Sequence, residues 1–364
     1  MRYMCFRLVW VAIIIGTGWV NAQDKQHRKM HAVHGMSRNG TLNLTNSYGN
    51  IKLSGWQKNQ VSITMDVSVS GRDKKNDGSL MERIQLKVEE NSGGTINVSS
   101  IIEKQREGFL AKYFGLGREM EKASGQIKID LTVMLPSDAN LLVQNKFGNL
   151  LIEDWRGRLT VEMAHGDIWL NTDLEQADIN LKYGKLKANS LGRANIEIEN
   201  GSIQLNRTDY MLLQSTGSIV NIGEIEELRI TSSKDELYFD YLNEINGSLE
   251  FSDLNLRHLG LWMDLELDIS ELELFEILDE SANLRIREES SQVIIHTTGF
   301  GCSLDALLEE GVIRIPKTYL NVKSTGLASP GSGRIRRVTA NSGGMGNGSI
   351  SLEGKKGIIV LKQN

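Results

Sequence analysis

The chain has 364 residues, and its 46 acidic side chains outnumber its 41 basic ones, which gives a formal net charge of −5 at pH 7. This balance argues against nucleic acid as a partner, because duplex binding depends on neutralising phosphates. The length allows one large domain or two smaller ones. The 36 glycines against three prolines suit strands joined by tight turns.

Residues 1–22 have the features of a cleavable export signal. Arg2 and Arg7 supply positive charge, Leu8 to Gly16 is almost wholly apolar, and Val20-Asn21-Ala22 places small residues before a cleavage site. The apolar stretch is shorter than the about 20 residues of a membrane-spanning helix, and no later stretch is apolar enough. We therefore expect a protein of the periplasm or the cell surface, without a transmembrane segment after cleavage.

A repeated motif dominates residues 141–251. An aromatic or polar residue and a glycine are followed by a polar residue and then by an apolar-polar-apolar triplet. The copies begin at Phe147, His165, Tyr183, Asn200, Thr216 and Asn246, with an early copy at Tyr48. The first five of this run recur at a nearly constant spacing, which slowly shortens along the chain.

Each repeat contains two short segments with alternating apolar residues, which is typical of strands with one buried face. The fixed period predicts an all-β fold, a parallel β-solenoid of about 18-residue repeats. The glycine would mark a corner that needs a positive φ or a close approach of backbones. The alternative is a series of antiparallel hairpins. The side chains expected to point inward are those of Leu150, Ile152, Ile168, Leu170, Leu186, Ile203 and Leu205.

The remaining segments are less regular. Residues 23–39 are expected to be a flexible leader, and residues 40–140 an irregular N-terminal β region. Within it, the charged segment 103–124 interrupts the strand pattern and could be helical. Residues 252–364 continue as a C-terminal β region whose last segments cap the open end of the ladder, because an uncovered edge invites aggregation.

Three stretches carry a resemblance to a known family. They are YGNIKLSGW (Tyr48 to Trp56), VSITMDV (Val61 to Val67) and LPSDANLLVQNKFGNLLIEDWRG (Leu135 to Gly157), followed by the glycine-cornered repeats. Over residues 40–250 the chain resembles a family of secreted bacterial proteins with adhesin-like domains of unknown function. The resemblance implies a repetitive β fold in a cell-envelope or surface setting. It transfers no functional residue, and residues after 252 depart from it.

The segment 103–124 contains a cluster of apolar side chains with a basic rim. The cluster consists of Phe109, Leu110, Tyr113, Phe114 and Leu116. On a helix these residues would share one side. The side could pack as a cap on the N-terminal strands. Alternatively, it could be an exposed patch that contacts a partner or an anionic membrane surface.

An acidic band offers the best metal site in the sequence. Asp264, Glu266 and Asp268 alternate with leucines, so their carboxylates would line one face of a strand. Clustered carboxylate oxygens could bind calcium. The alternative is a solvated strand face paired with basic residues such as Arg285 or Arg287.

The histidines and cysteines give no catalytic signature. His27, His31 and His34 could share a helix face and bind a transition metal, or lie in the solvated leader. His165 occupies the position of Phe147 and Tyr183 in neighbouring repeats, which indicates a structural role. Cleavage would remove Cys5 and leave Cys302 alone, so we expect no intramolecular disulfide.

The sequence therefore predicts a non-enzymatic, exported binding or structural module of the cell envelope, with no catalytic residues and no cofactor. Its partner would be an envelope protein, a glycan or a membrane surface. The alternative is a carbohydrate-active enzyme, a polysaccharide lyase or hydrolase, on a β-solenoid scaffold. Such an enzyme would need two carboxyl groups within about 5–10 Å of each other.

Cleavage after Ala22 is directly testable. N-terminal sequencing of the protein recovered from the envelope of expressing bacteria should give a chain that begins at Gln23. The physical reason is the small side chains at Val20 and Ala22, which fit a signal peptidase site. Recovery of a chain that still begins at Met1 would refute the export signal.

Overall fold

A computed structural model describes residues 25–70, 77–91, 93–103, 127–327, 334–343 and 346–363. The predicted signal (residues 1–22) and almost all of the predicted insertion lie outside these ranges. The described chain is all-β with one short helix, α1 (Asp77–Arg83). None of the described residues forms a helix long and apolar enough to cross a membrane.

The 26 strands of the described residues belong to one sheet. The first seven are β1 (Lys25–Gly35), β2 (Thr41–Ser47), β3 (Ile51–Trp56), β4 (Gln60–Ser70), β5 (Ile84–Asn91), β6 (Thr95–Ile102) and β7 (Ile127–Pro136). The next ten are β8 (Asn140–Lys146), β9 (Leu150–Glu153), β10 (Leu159–Ala164), β11 (Ile168–Asn171), β12 (Leu174–Lys182), β13 (Lys185–Glu199), β14 (Ser202–Thr216), β15 (Ile219–Ser233), β16 (Glu236–Glu250) and β17 (Asp253–Asp268). The last nine are β18 (Glu271–Ile277), β19 (Asn283–Glu289), β20 (Gln292–His296), β21 (Cys302–Glu309), β22 (Val312–Arg314), β23 (Leu320–Leu327), β24 (Ile335–Asn341), β25 (Gly348–Lys355) and β26 (Ile358–Lys362).

Strands in the middle of the chain pair in parallel with their counterparts one repeat away. Ser202 pairs with Lys185 on one side and with Ile219 on the other, at equal distances along the sequence. The repeat is longer near the end of the stack, where Glu271 pairs with Gln292. All pairings between residues 140 and 295 are parallel, so the antiparallel hairpins are not formed there. We call the strand segment before a corner, the corner and the strand segment after it a rung.

Alternate residues of each rung point into a continuous apolar core. All seven side chains predicted to point inward are confirmed as buried, with at most 2% of their surface exposed. Because parallel strands stack about 4.8 Å apart, each of these side chains packs on its equivalents in the neighbouring rungs. This in-register packing gives the core one composition from rung to rung, largely leucine and isoleucine.

The corner of each rung has a fixed backbone conformation. The residue before the glycine has a positive φ, with values of 58° at Phe147, 57° at His165 and 54° at Tyr183. The glycine itself is needed for a different reason. A Cβ on Gly166 would lie 2.0 Å from the carbonyl oxygen of Gly148 in the rung below. The sequence left both explanations open. At Phe147, His165 and Tyr183 the positive φ belongs to the ring residue and the close approach to the glycine, whereas Gly217 itself has the positive φ, 61°.

Beyond Gly201, polar side chains replace the corner glycines. The backbone N–H of Ser218 donates to Asp235 Oδ1 at 2.7 Å, and that of Asp235 donates to Ser252 Oγ at 3.1 Å. The N–H of Ser252 donates to Ser270 Oγ at 3.1 Å, and that of Ser270 to Ser291 Oγ at 3.0 Å. These side chains are at most 4% exposed, so the ladder satisfies buried N–H groups that would otherwise be unpaired.

One predicted corner is displaced by one residue, because Gly217 and not Thr216 has the positive φ. Another predicted corner is wrong. Asn246-Gly247-Ser248 lies within β16, where Gly247 pairs with Ile230 and Leu265. The corner of that rung is at Phe251, which has a φ of 49° and is followed by Ser252. Asn246-Gly247-Ser248 matches the motif in sequence but lies within a strand, whereas the actual corner has Ser252 in the position of the glycine.

Both ends of the stack are interleaved. The rung formed by β2 and β3 lies between β6/β7 on one side and β8/β9 on the other. At the other end, β25 and β26 lie between β19/β20 and β21/β22. Antiparallel strands then complete each end, with β4 and β1 beyond β7, β5 beyond β6, and β24 and β23 beyond β21.

Residues 23–39 were predicted to be a flexible leader, but Lys25–Gly35 within them forms strand β1. Its residues Lys25–Gly35 pair antiparallel with all of β4. The strand lies at an edge of the sheet and carries Arg28 and Lys29, charges that discourage further pairing. These charges, together with the three histidines, made the segment look like a solvated leader.

Replacing Gly166 by Ala should destabilise the protein by about 1–3 kcal/mol, because the new methyl group must push two corner backbones apart. The melting temperature of the purified variant measures this. Gly326→Ala is the matched control, since nothing lies within 4 Å of its added Cβ. Equal melting temperatures for the two variants would contradict the close-approach role of the corner.

Candidate binding groove

One outer face of the stack is lined by amide side chains. It is formed by the strand segments directly after each corner, whose outward residues fall into two columns. The first column is Trp169, Lys187, Gln204, Asn221, Tyr238, Asn255 and Glu273. The second column is Asn171, Asn189, Asn206, Gly223, Asp240, Arg257 and Phe275. We call the trough between these columns the amide groove.

The groove is continuous over several rungs. A depression of about 510 Å³ is lined from Asn171 to Asn206, and a second of about 530 Å³ from Gln204 to Phe275. They share Gln204 and Asn206 as lining residues. From Asn171 to Phe275 there are six steps between rungs, which gives a length of about 29 Å at about 4.8 Å per step.

Some of the amides are fixed by hydrogen bonds along the stack. Asn206 Nδ2 donates to Asn189 Oδ1 at 2.9 Å, and Asn189 Nδ2 donates to Asp173 Oδ1 at 2.8 Å. Within the described chain, the side chains of Gln204, Asn221 and Asn255 make no such bond, so their donors and acceptors face the groove unpaired. The groove therefore combines anchored amides with amides that are free to bind a ligand.

Gly223 opens the middle of the groove. It occupies the position between Asn206 and Asp240 in the second column, so this rung presents backbone where its neighbours present side chains. A Cβ there would lie 2.5 Å from the carbonyl oxygen of Asn206. The same close packing of rungs that excludes a side chain thus leaves a notch in the outer face.

Aromatic rings flank the notch towards one end. Tyr238 is 42% exposed and Phe275 is 45% exposed. The Tyr238 hydroxyl donates to Glu236 Oε2 at 3.2 Å, and this hydrogen bond raises the pKa of the phenol. Phe275 stacks on His296 with ring centroids 5.5 Å apart, which holds its ring in place.

The charges in the groove cancel. Arg257 Nη1 lies 3.0 Å from Asp240 Oδ1. Lys187 and Asp173 are one of each sign, and Glu273 in the last rung is paired with Lys362 Nζ at 3.3 Å. Such a surface has no excess of positive charge to attract a polyanion and none of negative charge to attract a cation.

The stacked rings at the corners form a separate feature. Tyr48, Phe147, His165 and Tyr183 stack with centroids 5.4, 5.0 and 4.9 Å apart and planes within 5° of parallel. His165 is thus confirmed as a member of the corner ladder. The inner rings, Phe147 and His165, have both faces covered by their neighbours and offer only their edges to solvent, so the ladder stabilises the corners.

The acidic band is paired with an arginine. Arg287 Nη1 lies 3.0 Å from Asp264 Oδ1, and its Nη2 lies 2.9 Å from Glu266 Oε1. The guanidinium occupies the place between these carboxylates that a cation would take. No three His, Cys, Asp or Glu side chains among the described residues are arranged to hold a metal ion. Calcium binding by Asp264, Glu266 and Asp268 stays a prediction.

Two other predicted sites have different outcomes. The apolar cluster of Phe109, Leu110, Tyr113, Phe114 and Leu116 lies outside the described residues, so its role stays a prediction. His27, His31 and His34 lie on a strand, not a helix, so His34 faces away from the other two. His31 Nδ1 is 3.0 Å from Thr64 Oγ1. The shared helix face predicted for the three histidines is therefore wrong.

The amide groove was not predicted from the sequence, although its columns leave a signal there. Asn189 and Asn206 are one repeat apart, as are Gln204, Asn221, Tyr238 and Asn255 in succession. Each rung contributes only one or two of these residues, so no local stretch is rich in amides. Once the pairing register is known, the outward positions can be aligned and the columns become visible.

A buried carboxylate was also missed. Glu288 is only 5% exposed and points into the core beside the acidic band. Its Oε2 accepts a hydrogen bond from the N–H of Ser291 at 3.0 Å, and Gly354 and Gly357 leave room for the carboxyl group. Burial raises the pKa of Glu288, although backbone N–H donors oppose this effect.

Comparisons with known proteins give no family assignment. No family model and no curated protein matches the chain. A proposed cell adhesion protein of Clostridium sporogenes is 11% identical with a TM-score of 0.18, covering 93% of this chain and 100% of that one. A proposed adhesin of Parabacteroides merdae is 7% identical with a TM-score of 0.31, covering 94% and 97%. A proposed lipid-binding protein of Parabacteroides distasonis is 10% identical with a TM-score of 0.27, covering 94% and 98%.

At TM-scores below 0.5, these three likenesses say nothing about the function of this chain. The family resemblance drawn from the three sequence stretches stays a prediction. The function has to be inferred from the arrangement of the chain's own residues.

Glu288→Gln should change how stability depends on pH. A carboxyl group whose pKa is higher in the folded than in the unfolded protein stabilises the fold at pH values below its unfolded-state pKa. This stabilisation is lost as the pH rises through the folded-state pKa. The melting temperature of the variant minus that of the wild type should therefore increase from about pH 4 to about pH 8. A difference that stays constant over this range would contradict the raised pKa. Glu289→Gln is the control, because Lys355 holds the pKa of Glu289 low and the trend should reverse.

Proposed function

We propose that this chain is an exported, non-enzymatic binding module of the cell envelope or surface, built as a β-solenoid, and that its ligand lies in the amide groove. The observation that carries the proposal is the groove itself. It combines unpaired amides with half-exposed aromatic rings over about 29 Å of an in-register strand ladder. Ligand sites typically combine apolar surface with a few placed polar groups in this way.

The solenoid architecture is supported by the pairing registers. Successive strands pair in parallel at a nearly constant offset, and the corner residues keep their positive φ from rung to rung. A stack of this kind presents residues of successive repeats side by side on one rigid face. Rigid elements position binding side chains better than loops do.

The groove does not suit hydrolysis of a glycosidic bond. Its carboxylates are Asp173, Asp240 and Glu273. Asp173 and Asp240 lie four rungs apart, about 19 Å at about 4.8 Å per rung. Glu273 lies in the other column, two rungs beyond Asp240, and Lys362 Nζ is 3.3 Å from its Oε1. A glycosidase needs its two carboxyl groups within about 5–10 Å. In addition, Asp240 is already occupied by an ion pair, with Arg257 Nη1 3.0 Å from its Oδ1.

A second depression could hold the active site of the alternative function, a carbohydrate-active enzyme. A depression of about 540 Å³ beside the acidic band is lined by Glu266, Asp268 and Glu289 among other residues. Here carboxylates of neighbouring rungs come close together. However, Arg287 pairs with Glu266, and Lys355 keeps the pKa of Glu289 low. A carboxyl group that acts as an acid catalyst needs a raised pKa. Among the carboxyl groups that line this depression, that of Glu288 has a raised pKa, and it is buried.

Export is supported by the sequence of residues 1–22, with its basic start, apolar stretch and small residues before Gln23. A binding module exported in this way would meet its ligand in the envelope or outside the cell. Its negative net charge fits this setting better than a nucleic-acid partner.

The proposal predicts that the double variant Gln204→Ala/Asn221→Ala loses retention on isolated cell envelopes by about tenfold or more. Two hydrogen bonds worth about 0.5–1.5 kcal/mol each would be removed. Both residues are exposed, so the melting temperature should not change. The measurement is the bound fraction of purified protein after sedimentation with the envelopes.

Gln214→Ala/Asn246→Ala is the matched control, because it removes the same two residue types from exposed positions near the other ends of strands β14 and β16, outside the groove. This control should bind as the wild type does. Equal retention of all three proteins would refute the groove as the binding site. Release of sugars from envelope glycans that is lost in Glu266→Gln/Asp268→Asn would instead favour the enzyme.

A further inference from the structure

We infer that the ligand of the amide groove is an uncharged polysaccharide that lies along the stack, crossing one rung after another. This inference rests on the binding function proposed for the groove and names its ligand class. Three properties of the groove lead to it: the hydrogen-bonding character of its side chains, the cancellation of its charges, and its length and direction.

The side chains of the groove match hydroxyl groups. A carboxamide both donates and accepts hydrogen bonds, as a sugar hydroxyl does, whereas a carboxylate only accepts and an ammonium only donates. Gln204, Asn221 and Asn255 present such amides on successive or neighbouring rungs without side-chain partners in the described chain. A ligand that carries many hydroxyl groups along its length could satisfy them together.

The charges of the groove select against charged ligands. Lys187 and Arg257 are balanced by Asp173 and Asp240, and Arg257 is already paired with Asp240. A polyanion would find no row of free cations, and a lipid surface with anionic headgroups would find none either. An acyl chain would bury the unpaired amides without replacing their hydrogen bonds to water, which is costly.

The exposed aromatic rings suit the apolar faces of sugar rings. Tyr238 and Phe275 are each nearly half exposed, and they stand in different columns two rungs apart. Large aromatic surfaces of this kind bury C–H groups of a ligand, and Tyr238 also offers a hydroxyl. The stacking of Phe275 on His296 covers one of its faces and leaves the rest of the ring towards the groove.

The length and direction of the groove indicate a polymer. It runs across seven rungs with one outward position per column and rung, repeated at about 4.8 Å, and six of these positions carry an amide. This repeat is close to the length of one sugar ring in an extended chain, so successive sugars can meet equivalent positions. The notch at Gly223 gives the chain room to approach the backbone in the middle of the groove.

Titration of the purified protein with envelope polysaccharides tests this inference. The polysaccharides are separated by anion exchange into an uncharged and an acidic fraction, and the uncharged fraction is cut into oligomers of two to eight sugars. The uncharged oligomers should bind, with an affinity that rises with length and levels off at about six or seven sugars, one per rung. Gln204→Ala/Asn221→Ala should weaken binding about tenfold or more, and Gln214→Ala/Asn246→Ala should not.

Binding of only the acidic fraction, of anionic phospholipid vesicles, or of none of these probes would overturn the inference. Periodate oxidation of the envelopes distinguishes failure of this inference from failure of the proposed binding function. If the groove variant loses envelope retention but retention by the wild type survives periodate and is abolished by protease, the binding module stands and the ligand is a protein. If the groove variant retains binding to untreated envelopes, the groove is not the binding site and both proposals fail.

Discussion

The close approach of corner backbones is the constraint on which the rest of the structure depends. At each corner a residue with positive φ turns the chain, and the next residue brings its backbone so near the rung below that Gly166 could carry no side chain without a clash. Polar neighbours reinforce this contact, since Asn149 Oδ1 accepts from the N–H of Asp167 at 2.9 Å. Because every corner is held at one height and one angle, the strands on both sides stay in register.

Two chemically different solutions meet this constraint along one stack. Up to Gly201 the corner avoids side chains, and from Ser218 onwards it uses short polar ones whose oxygens accept the N–H of the preceding rung. The second solution fills the space with hydrogen bonds in place of direct backbone contact. Both keep the outer columns aligned, and the amide groove spans the transition between them, from Asn171 to Phe275.

The sequence predicted what is local and missed what depends on register. The Phe147-Gly148-Asn149 motif revealed the rungs because the corner conformation restricts each of its residues directly. Where Ser252 replaced the glycine, the motif disappeared although the corner persisted, and Asn246-Gly247 imitated it inside a strand. The groove could not be seen in advance, since its columns exist only after residues of successive repeats are placed side by side.

The interleaved ends imply a definite order of events during folding. Partners in the middle of the stack are one repeat apart, whereas Thr41 of β2 must find Asn140 of β8, and Asn283 of β19 must find Ser349 of β25. Loop-closure entropy makes each of these distant contacts costlier than a middle one by roughly 1–2 kcal/mol. The central rungs should therefore assemble first and leave an open slot at each end. Until β2/β3 and β25/β26 fill those slots, the half-built molecule exposes unpaired parallel edges to other copies of itself.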